Sequence, residues 1–370
     1  MDSQPLRVQE GAVRIYRLFD IAEGIDLARV EALAAATASR FRLERPRTHS
    51  AIEIPHPPVR LRIGPRTLPV AGVDRRVEVR AHVFDYGVVS VVMEWPIPPG
   101  TALEDLVPLA VALLDAPTPE IDAAARREAA EVAQGLRSAL DRPHAWDGLE
   151  TYTVFFTRAL DRPVTGRELL ERAPLARLLL GEGGTVPLAP DERADVLKHH
   201  FSYLENDLAV VDWNSAFVHE PTGIGDVPDL LELATAHLLE LRYYDALLDR
   251  ELRDIYEQLG RRGASGIFTR RYARLLQRTA GLLLEISEMV EHLENAVKIV
   301  GDFYLARLYQ AALRRFRLPA WQDTVLRKQR MLQEVNRMLS DAADTRRAEL
   351  LEITIIVLIA WEILWAVARR

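Results

Sequence analysis

The pattern of apolar and polar positions divides the chain into a first part of mixed strands and helices and a second part that is almost entirely helical. Residues 13–18 and 59–63 alternate between apolar and polar side chains, as half-buried strands do. Residues 77–84 and 88–95 are β-branched runs on either side of Asp85-Tyr86-Gly87, an arrangement that predicts a β-hairpin. The other elements predicted for this part are strands at 152–157 and 208–213, and helices capped by Asp26 and Thr101 or covering 119–140 and 168–180.

Beyond a Gly/Pro-containing linker at 221–228, apolar residues recur every three or four positions, which is the spacing of packed helices. A first helix runs to Leu259 and a glycine-rich loop follows at 260–266. A second helix is predicted from Leu276 to Pro319, and a third begins near Ala320. The breaks favour an antiparallel bundle. The spacing leaves open whether this bundle packs only on itself or also mediates self-association.

The C-terminal run 353–368 is apolar on every face of a helix, which a helix of a soluble bundle does not need. It is somewhat shorter than the about 20 residues of a usual membrane span. We nevertheless predict a membrane anchor. With no helix breaker between Trp321 and Arg370, it can continue the third helix in a rod of about 50 residues and about 75 Å. The alternative is a helix buried in a soluble oligomer. The predicted anchor residues are Ile353, Ile356, Ile359, Trp361, Glu362, Trp365, Arg369 and Arg370.

These patterns predict an α+β fold with three regions. Residues 1–220 form a mixed strand and helix head, residues 221–349 a helical bundle or coiled-coil region, and residues 350–370 the C-terminal transmembrane-like helix. Glu362 within the last region either pairs with another helix or, as we favour, is protonated or reaches the polar interface.

Composition narrows the function classes. With 49% hydrophobic and 27% charged residues the chain has enough apolar side chains for a core, and its net charge of −7 argues against a nucleic-acid binder. The absence of cysteine excludes disulfides and thiolate metal sites. The polar residues 1–10 predict no secretory signal, so we expect the head in the cytoplasm. The many Ala, Arg and Leu residues are typical of a GC-rich bacterial genome.

Candidate chemistry is sparse. Imidazole and carboxylate groups suit divalent cations, so His200, Asp207, Asp212 and His219 are candidate metal ligands. Glu205-Asn206-Asp207 equally predicts a simple turn before a strand. The glycines at 181–184 lack the Lys-Ser/Thr pair of a phosphate-binding loop, and we expect no cofactor. Trp95 and Trp213, each at a strand end, are predicted to fill the core.

Three segments in a fixed order carry a resemblance to a known family. They are HVFDYGVVSVVMEW (82–95), YLENDLAVVDWNSAFVHE (203–220) and RRAELLEITIIVLIAWEIL (346–364). Over residues 75–368 this order resembles the uncharacterised family named for "required for meiotic nuclear division", which has bacterial, fungal and mitochondrial members. The chain departs from the family pattern where Pro96 follows Trp95 in place of glycine. The family-like residues are Asp85, Gly87, Glu205, Asp207, Asp212 and Trp213.

The resemblance implies a membrane-anchored protein without established catalytic activity, whose mitochondrial member supports translation at the inner membrane in large assemblies. Our leading hypothesis is therefore a membrane-anchored, self-associating scaffold or adaptor without catalytic activity. Its expected partners are membrane lipid, further copies of the chain and another protein. The alternative is a metal-dependent enzyme that uses the region from His200 to His219.

Overall fold

The chain forms two compact units. The first contains residues 1–243 and 292–321, and the second contains residues 244–291 and 322–370. The sequence-predicted boundary at residue 221 falls inside the first unit. The structure, a computed structural model, describes residues 4–41, 43, 52–70, 72–115, 118–260, 268–295, 298–299 and 304–368.

The described strands all belong to the first unit. In chain order they are β1 (Arg7–Asp20), β2 (Ala22–Ile25), β3 (Ala38–Arg40), β4 (Ile52–Glu53), β5 (Val59–Val70), β6 (Val73–Val83), β7 (Val88–Pro96), β8 (Thr101–Ala102), β9 (Leu140–Pro143), β10 (Glu150–Leu160), β11 (His200–Phe201), β12 (Leu208–Val211), β13 (Ser215–His219) and β14 (Lys298–Ile299).

The described α-helices occupy both units. They are α1 (Leu27–Leu33), α2 (Val107–Ala110), α3 (Pro119–Gly135), α4 (Gly166–Arg172), α5 (Leu175–Leu180), α6 (Pro190–Leu197), α7 (Asp226–Gly260), α8 (Phe268–Asn295), α9 (Tyr304–Arg315) and α10 (Leu318–Ala368). The α+β class with an N-terminal mixed sheet and C-terminal helices is confirmed.

Ten of the described strands form one sheet in the order β11-β12-β13-β10-β1-β7-β6-β5-β3, with β8 also paired to β1. Strands β10 and β13 run parallel, whereas the other neighbours run antiparallel. The predicted hairpin is confirmed, because β6 and β7 pair with Val83 opposite Val89. Asp26 caps α1 as predicted, since its Oδ1 accepts a hydrogen bond from the Arg29 backbone N–H at 3.1 Å.

The two faces of the sheet differ in chemistry because successive side chains of a strand point to opposite sides. One face carries Val13 and Ile15 of β1 beside Val91 and Met93 of β7, all fully buried. These residues belong to a core that includes buried side chains of α2, α3, α5 and α6. Burying each large apolar side chain contributes about 1.5–3 kcal/mol. The opposite face is rich in arginine and forms the site described below.

The second unit is a three-helix arrangement built on the predicted spacing. Lys328 of α10 lies 2.6 Å from carboxylate oxygens of both Asp245 and Asp249 of α7. The buried apolar side chains of the second unit include Leu248, Leu252, Ile255, Leu275, Leu282, Ile286, Met289, Val325, Leu332, Val335 and Leu339.

Helices α8 and α10 run antiparallel within the second unit. Thr279 Oγ1 donates to Asn336 Oδ1 at 2.8 Å, and Gln329 Nε2 donates to Ser287 Oγ at 3.1 Å. The residue numbers therefore rise along one helix as they fall along the other. The continuous helix predicted from Trp321 onward is confirmed as far as Ala368 by α10.

Three predicted helices differ from the structure. Thr101 does not cap a helix, since its hydroxyl donates to the Pro98 carbonyl at 2.6 Å and the helical turns start at Leu103. The helix predicted over 168–180 is divided into α4 and α5, because Pro174 cannot continue α4. The second long helix of the predicted bundle ends at Asn295.

Beyond Asn295, Lys298 and Ile299 form β14 and pair with Glu53 and Ile52 of β4. Val297 and Val300, predicted to lie on that helix, fall outside the described residues. Strand pairing of the β-branched Ile299 here takes precedence over the helical spacing.

The C-terminal end of α10 carries the predicted anchor. In the part of the chain that the structure describes, no helix is long and apolar enough to cross a membrane, so the transmembrane element of the predicted fold class is not supported. Arg369 and Arg370 lie outside the described residues.

Candidate functional site

The arginine-rich face of the sheet contains a cavity of about 320 Å³. Four arginines from three different strands line it, namely Arg14 of β1, Arg60 and Arg62 of β5, and Arg80 of β6. They share one face because they occupy alternate positions of strands that lie side by side in the order β1-β7-β6-β5. A chain with a net charge of −7 thus places a cluster of cations in one cavity.

The strand register places two of these cations directly opposite each other on neighbouring strands. Arg62 is the direct cross-strand partner of Arg80, and Arg60 is the partner of His82. Like charges directly opposite on a sheet destabilise the pairing. The arrangement therefore costs free energy unless an anion lies between the two guanidinium groups.

Acidic side chains neutralise part of this charge. Glu94 lies 3.0 Å from Arg14 and 3.4 Å from Arg80, so one carboxylate is shared between two guanidinium groups. Asp229 of α7 lies 2.6 Å from Arg60 and lines the cavity. Arg62 is exposed and has no ion-pair partner among the described residues. Two carboxylates thus face four cations.

The pKa values of Arg14 and Asp229 reflect this environment. Burial opposes the charge of Arg14, but Tyr16, Glu94 and Asp229 outweigh it and raise its pKa. Burial raises the pKa of Asp229, while Arg60 opposes that shift. Arg14 therefore keeps its charge beside these acidic groups.

A buried histidine completes the wall. His82 Nδ1 lies 2.7 Å from Glu232 Oε2 of α7, and both side chains are buried. His82 Nε2 is also buried and has no hydrogen-bond partner within the described ranges. The His82 residue itself lines the cavity with the arginines.

The loop before α7 closes one side of the cavity. Gly223 adopts a φ of +79°, a conformation that favours glycine. A Cβ on Gly225 would lie 3.8 Å from Arg14 Nη1 and 3.6 Å from Asp229 Oδ2, which shows how near this backbone comes to the charged groups.

The four candidate metal ligands do not converge. His200 is exposed, with Nδ1 2.7 Å from the Leu197 carbonyl oxygen, whereas His219 is buried, with Nδ1 3.0 Å from Thr157 Oγ1. Burial lowers the pKa of His219. No three His, Asp or Glu side chains are placed to hold a metal ion anywhere in the described residues.

The two aspartates of that set have structural partners. The Asp207 carboxylate accepts backbone N–H bonds from Tyr203 at 2.7 Å and Leu204 at 3.0 Å, as expected for a turn. The buried Asp212 accepts from the Trp213 backbone N–H and from Arg315 Nε, each at 2.8 Å.

The other family-like residues lie in turns. Asp85 and Gly87 form the turn between β6 and β7, where Gly87 has a φ of +97°. The Glu205 carbonyl accepts the Gly166 backbone N–H at 2.9 Å. Trp95 is buried, as predicted. The prediction that Trp213 fills the core is wrong, because Trp213 is 62% exposed.

The cavity was not predicted from the sequence. Each arginine occupies a polar position of an alternating strand, as in Val59-Arg60-Leu61-Arg62-Ile63, and such positions are usually solvent-facing. The sequence signal that could have indicated the cavity is that arginine, and not a mixture of polar residues, recurs at these positions. The strand order that joins them is not encoded locally.

Comparison with known proteins places this site within a recognised domain. The family described as "Uncharacterized protein MJ0711, N-terminal domain" matches residues 10–226, more than half of the chain. The chain belongs to this MJ0711 N-terminal domain family. The matched range contains the residues that line the cavity, except Asp229.

Among curated proteins, the chain is similar to the uncharacterised protein MJ0711 of Methanocaldococcus jannaschii. The two are 26% identical over 230 residues, which cover 60% of this chain and 67% of the relative. No solved structure matches. This relative is archaeal, so it does not support the bacterial origin inferred from composition. Neither match connects the chain to the meiotic nuclear division family, and that resemblance stays a prediction.

Proposed function

We propose that the protein is a membrane-associated scaffold or adaptor that attaches to lipid through the C-terminal end of α10. The observation that supports attachment is the exposure of the apolar side chains there. Ile353, Ile356, Ile359, Trp361 and Trp365 are each more than half exposed. At about 100° per residue these five positions are distributed around the whole circumference of the helix.

Exposure on every side favours lipid over a protein partner. A partner helix covers one stripe of a helix, whereas hydrocarbon surrounds it. The stretch from Ile353 to Trp365 is about 20 Å long, less than the about 30 Å of a bilayer core. The proposal therefore requires insertion into the bilayer and does not require a full crossing. Glu362 would remain near the polar interface or be protonated.

Flotation with neutral phosphatidylcholine vesicles tests this attachment. The full chain is expected to float, and the double variant Ile356→Asn/Ile359→Asn is expected to remain at the bottom of the gradient. The matched control is Met331→Asn/Met338→Asn, which changes two exposed apolar residues of the same helix outside the segment. Flotation of the first variant at the wild-type level would contradict the proposal.

Self-association and a cytoplasmic head are part of the same proposal. Their support is the helical second unit and the resemblance described above. Light scattering of the full chain in neutral detergent is expected to give a mass of two or more copies. A monomer at every concentration would contradict a self-associating scaffold.

The metal-dependent enzyme is not favoured by any contact at its four candidate residues. Asp207 and Asp212 accept backbone N–H bonds within their own turns, and His200 and His219 have different partners. The function best supported by the described residues is therefore binding and attachment.

A further inference from the structure

We propose that the arginine-lined cavity of the first unit binds the phosphate group of a phosphate monoester. This site is independent of the attachment proposed for α10, because all of its lining residues lie in the first unit. Three features of the cavity support phosphate binding: its charge, the placement of its hydrogen-bond donors, and a buried histidine with an unsatisfied ring nitrogen.

The charge of the cavity matches a dianion. Arg14, Arg60, Arg62 and Arg80 contribute four positive charges, and Asp229 and Glu94 contribute two negative ones. With Glu232 balanced by its partner His82, the remaining charge is about +2. A phosphate monoester carries about −1.5 to −2 at neutral pH, whereas a diester or a carboxylate carries only one negative charge. The monoester is therefore the better match.

The donors are arranged for a group with several acceptor oxygens. Arg62 and Arg80 face each other across β5 and β6, so one phosphate between them could accept from both guanidinium groups. Such a ligand removes the like-charge repulsion of this pair. Guanidinium forks match phosphate oxygens in geometry, and arginine is the side chain most used for this purpose.

His82 supplies a further donor. Its Nδ1 is held by Glu232 at 2.7 Å, and its Nε2 is buried without a partner in the part of the chain described. Buried polar atoms usually have hydrogen-bond partners, so this nitrogen is free to bond a ligand oxygen. In the imidazolium form both ring nitrogens donate, one to Glu232 and one to a phosphate oxygen.

The size of the cavity and its apolar wall point to a small ester. A volume of about 320 Å³ exceeds the space that a phosphate needs and lies at the lower end of small-molecule sites. Val92 lines the cavity beside the arginines. Its side chain provides contact for the carbon atoms of the esterified alcohol.

Calorimetric titration of the full chain in neutral detergent tests the site. The probes are ethyl phosphate, inorganic phosphate and diethyl phosphate, the last of which carries a single charge. Ethyl phosphate is expected to bind at least about tenfold more tightly than diethyl phosphate. Arg62→Gln and Arg80→Gln are each expected to weaken ethyl phosphate binding about ten- to a hundredfold, as expected for loss of a charged hydrogen bond.

The matched control is Arg76→Gln, which removes an exposed arginine of the same strand that does not line the cavity. It is expected to bind like the wild type. Equal weakening by Arg76→Gln, equal binding of both esters, or no heat with any probe at millimolar concentration would overturn the proposal. Thermal unfolding of each variant, with and without ethyl phosphate, separates loss of the site from loss of the fold.

A soluble short-chain phosphatidic acid distinguishes the source of the monoester. Binding at least about tenfold tighter than ethyl phosphate, and equally dependent on Arg62, would support the site and identify a lipid headgroup. Comparable affinities would support the site with a small soluble ester. Binding that does not depend on Arg62 would count against it.

Discussion

Arg62 of β5 and Arg80 of β6 are direct cross-strand partners, and both line one cavity. Glu94 lies 3.4 Å from Arg80, while Arg62 has no ion-pair partner among the described residues. The register therefore places two like charges opposite each other at one cavity.

This opposition predicts an unusual effect on stability. In the absence of ligand, Arg62→Gln is expected to raise the free energy of unfolding by about 0.2–1 kcal/mol, because it removes a like-charge cross-strand pair. Urea denaturation at low ionic strength measures the change. Arg76→Gln serves as the control and is expected to leave stability within about 0.5 kcal/mol. A clear loss of stability in Arg62→Gln would show that this arginine has a structural partner.

His237 predicts a loss of stability in mild acid. Burial lowers its pKa from 6.5 to about 4, while its Nδ1 lies 2.9 Å from the Tyr309 hydroxyl oxygen. The unfolded chain binds a proton at His237 more readily than the folded chain does. The contribution of the neutral His237 to folding stability is therefore complete above pH 6.5 and is lost as the pH falls toward 4. The expected loss between pH 7 and pH 5 is about 2 kcal/mol.

His237→Gln isolates this contribution, since the amide oxygen can still accept from Tyr309. Urea denaturation at pH 7 and pH 5 should show a smaller pH-dependent loss in the variant than in the wild type. Identical pH dependence of the two proteins would mean that His237 is not buried in the neutral form.

Glu240 predicts a pH effect of opposite sign. Burial, together with Asp20 and Asp85, raises the pKa of this carboxyl well above its ordinary value. The folded state therefore holds a proton that the unfolded state has released, and stability falls as the pH rises. Glu240→Gln keeps the shape without a titrating proton, so urea denaturation between pH 5 and 8 should show that the variant gains stability relative to the wild type as the pH rises. A stability difference between the two proteins that does not change with pH would refute this assignment.

Gly87 is predicted to be irreplaceable. A Cβ there would lie 1.7 Å from the Ala22 carbonyl oxygen, and its φ of +97° is unfavourable for other residues. Gly87→Ala is expected to cost at least about 3 kcal/mol or to prevent folding. Gly100→Ala is the matched control, because Gly100 has a φ of +86° but open space around its Cβ position. Thermal unfolding should show the smaller loss there, and equal losses would mean that the clash at Gly87 is relieved.

Local signals in the sequence predicted much of the fold. The β-branched runs around Asp85-Tyr86-Gly87 form the hairpin, Asp26 caps its helix, and α10 is continuous beyond Trp321 as its lack of breakers indicates. Each of these depends on residues close in sequence. Trp213 was misplaced because a strand-end position does not reveal whether another element covers it.

The cavity could not be predicted in this way. Its residues come from β1, β5, β6 and the start of α7, and only the sheet order and register bring Arg62 opposite Arg80. The unsatisfied Nε2 of His82 likewise depends on Glu232, 150 residues away, which occupies Nδ1. Long-range pairing therefore determines the site.

A crystal structure of the full chain grown with ethyl phosphate shows whether this cavity binds the phosphate group. The phosphate is expected within about 3 Å of the guanidinium nitrogens of both Arg62 and Arg80, with an oxygen at hydrogen-bond distance from His82 Nε2. Phosphate bound elsewhere on the chain, with the space between Arg62 and Arg80 filled only by water, would contradict it.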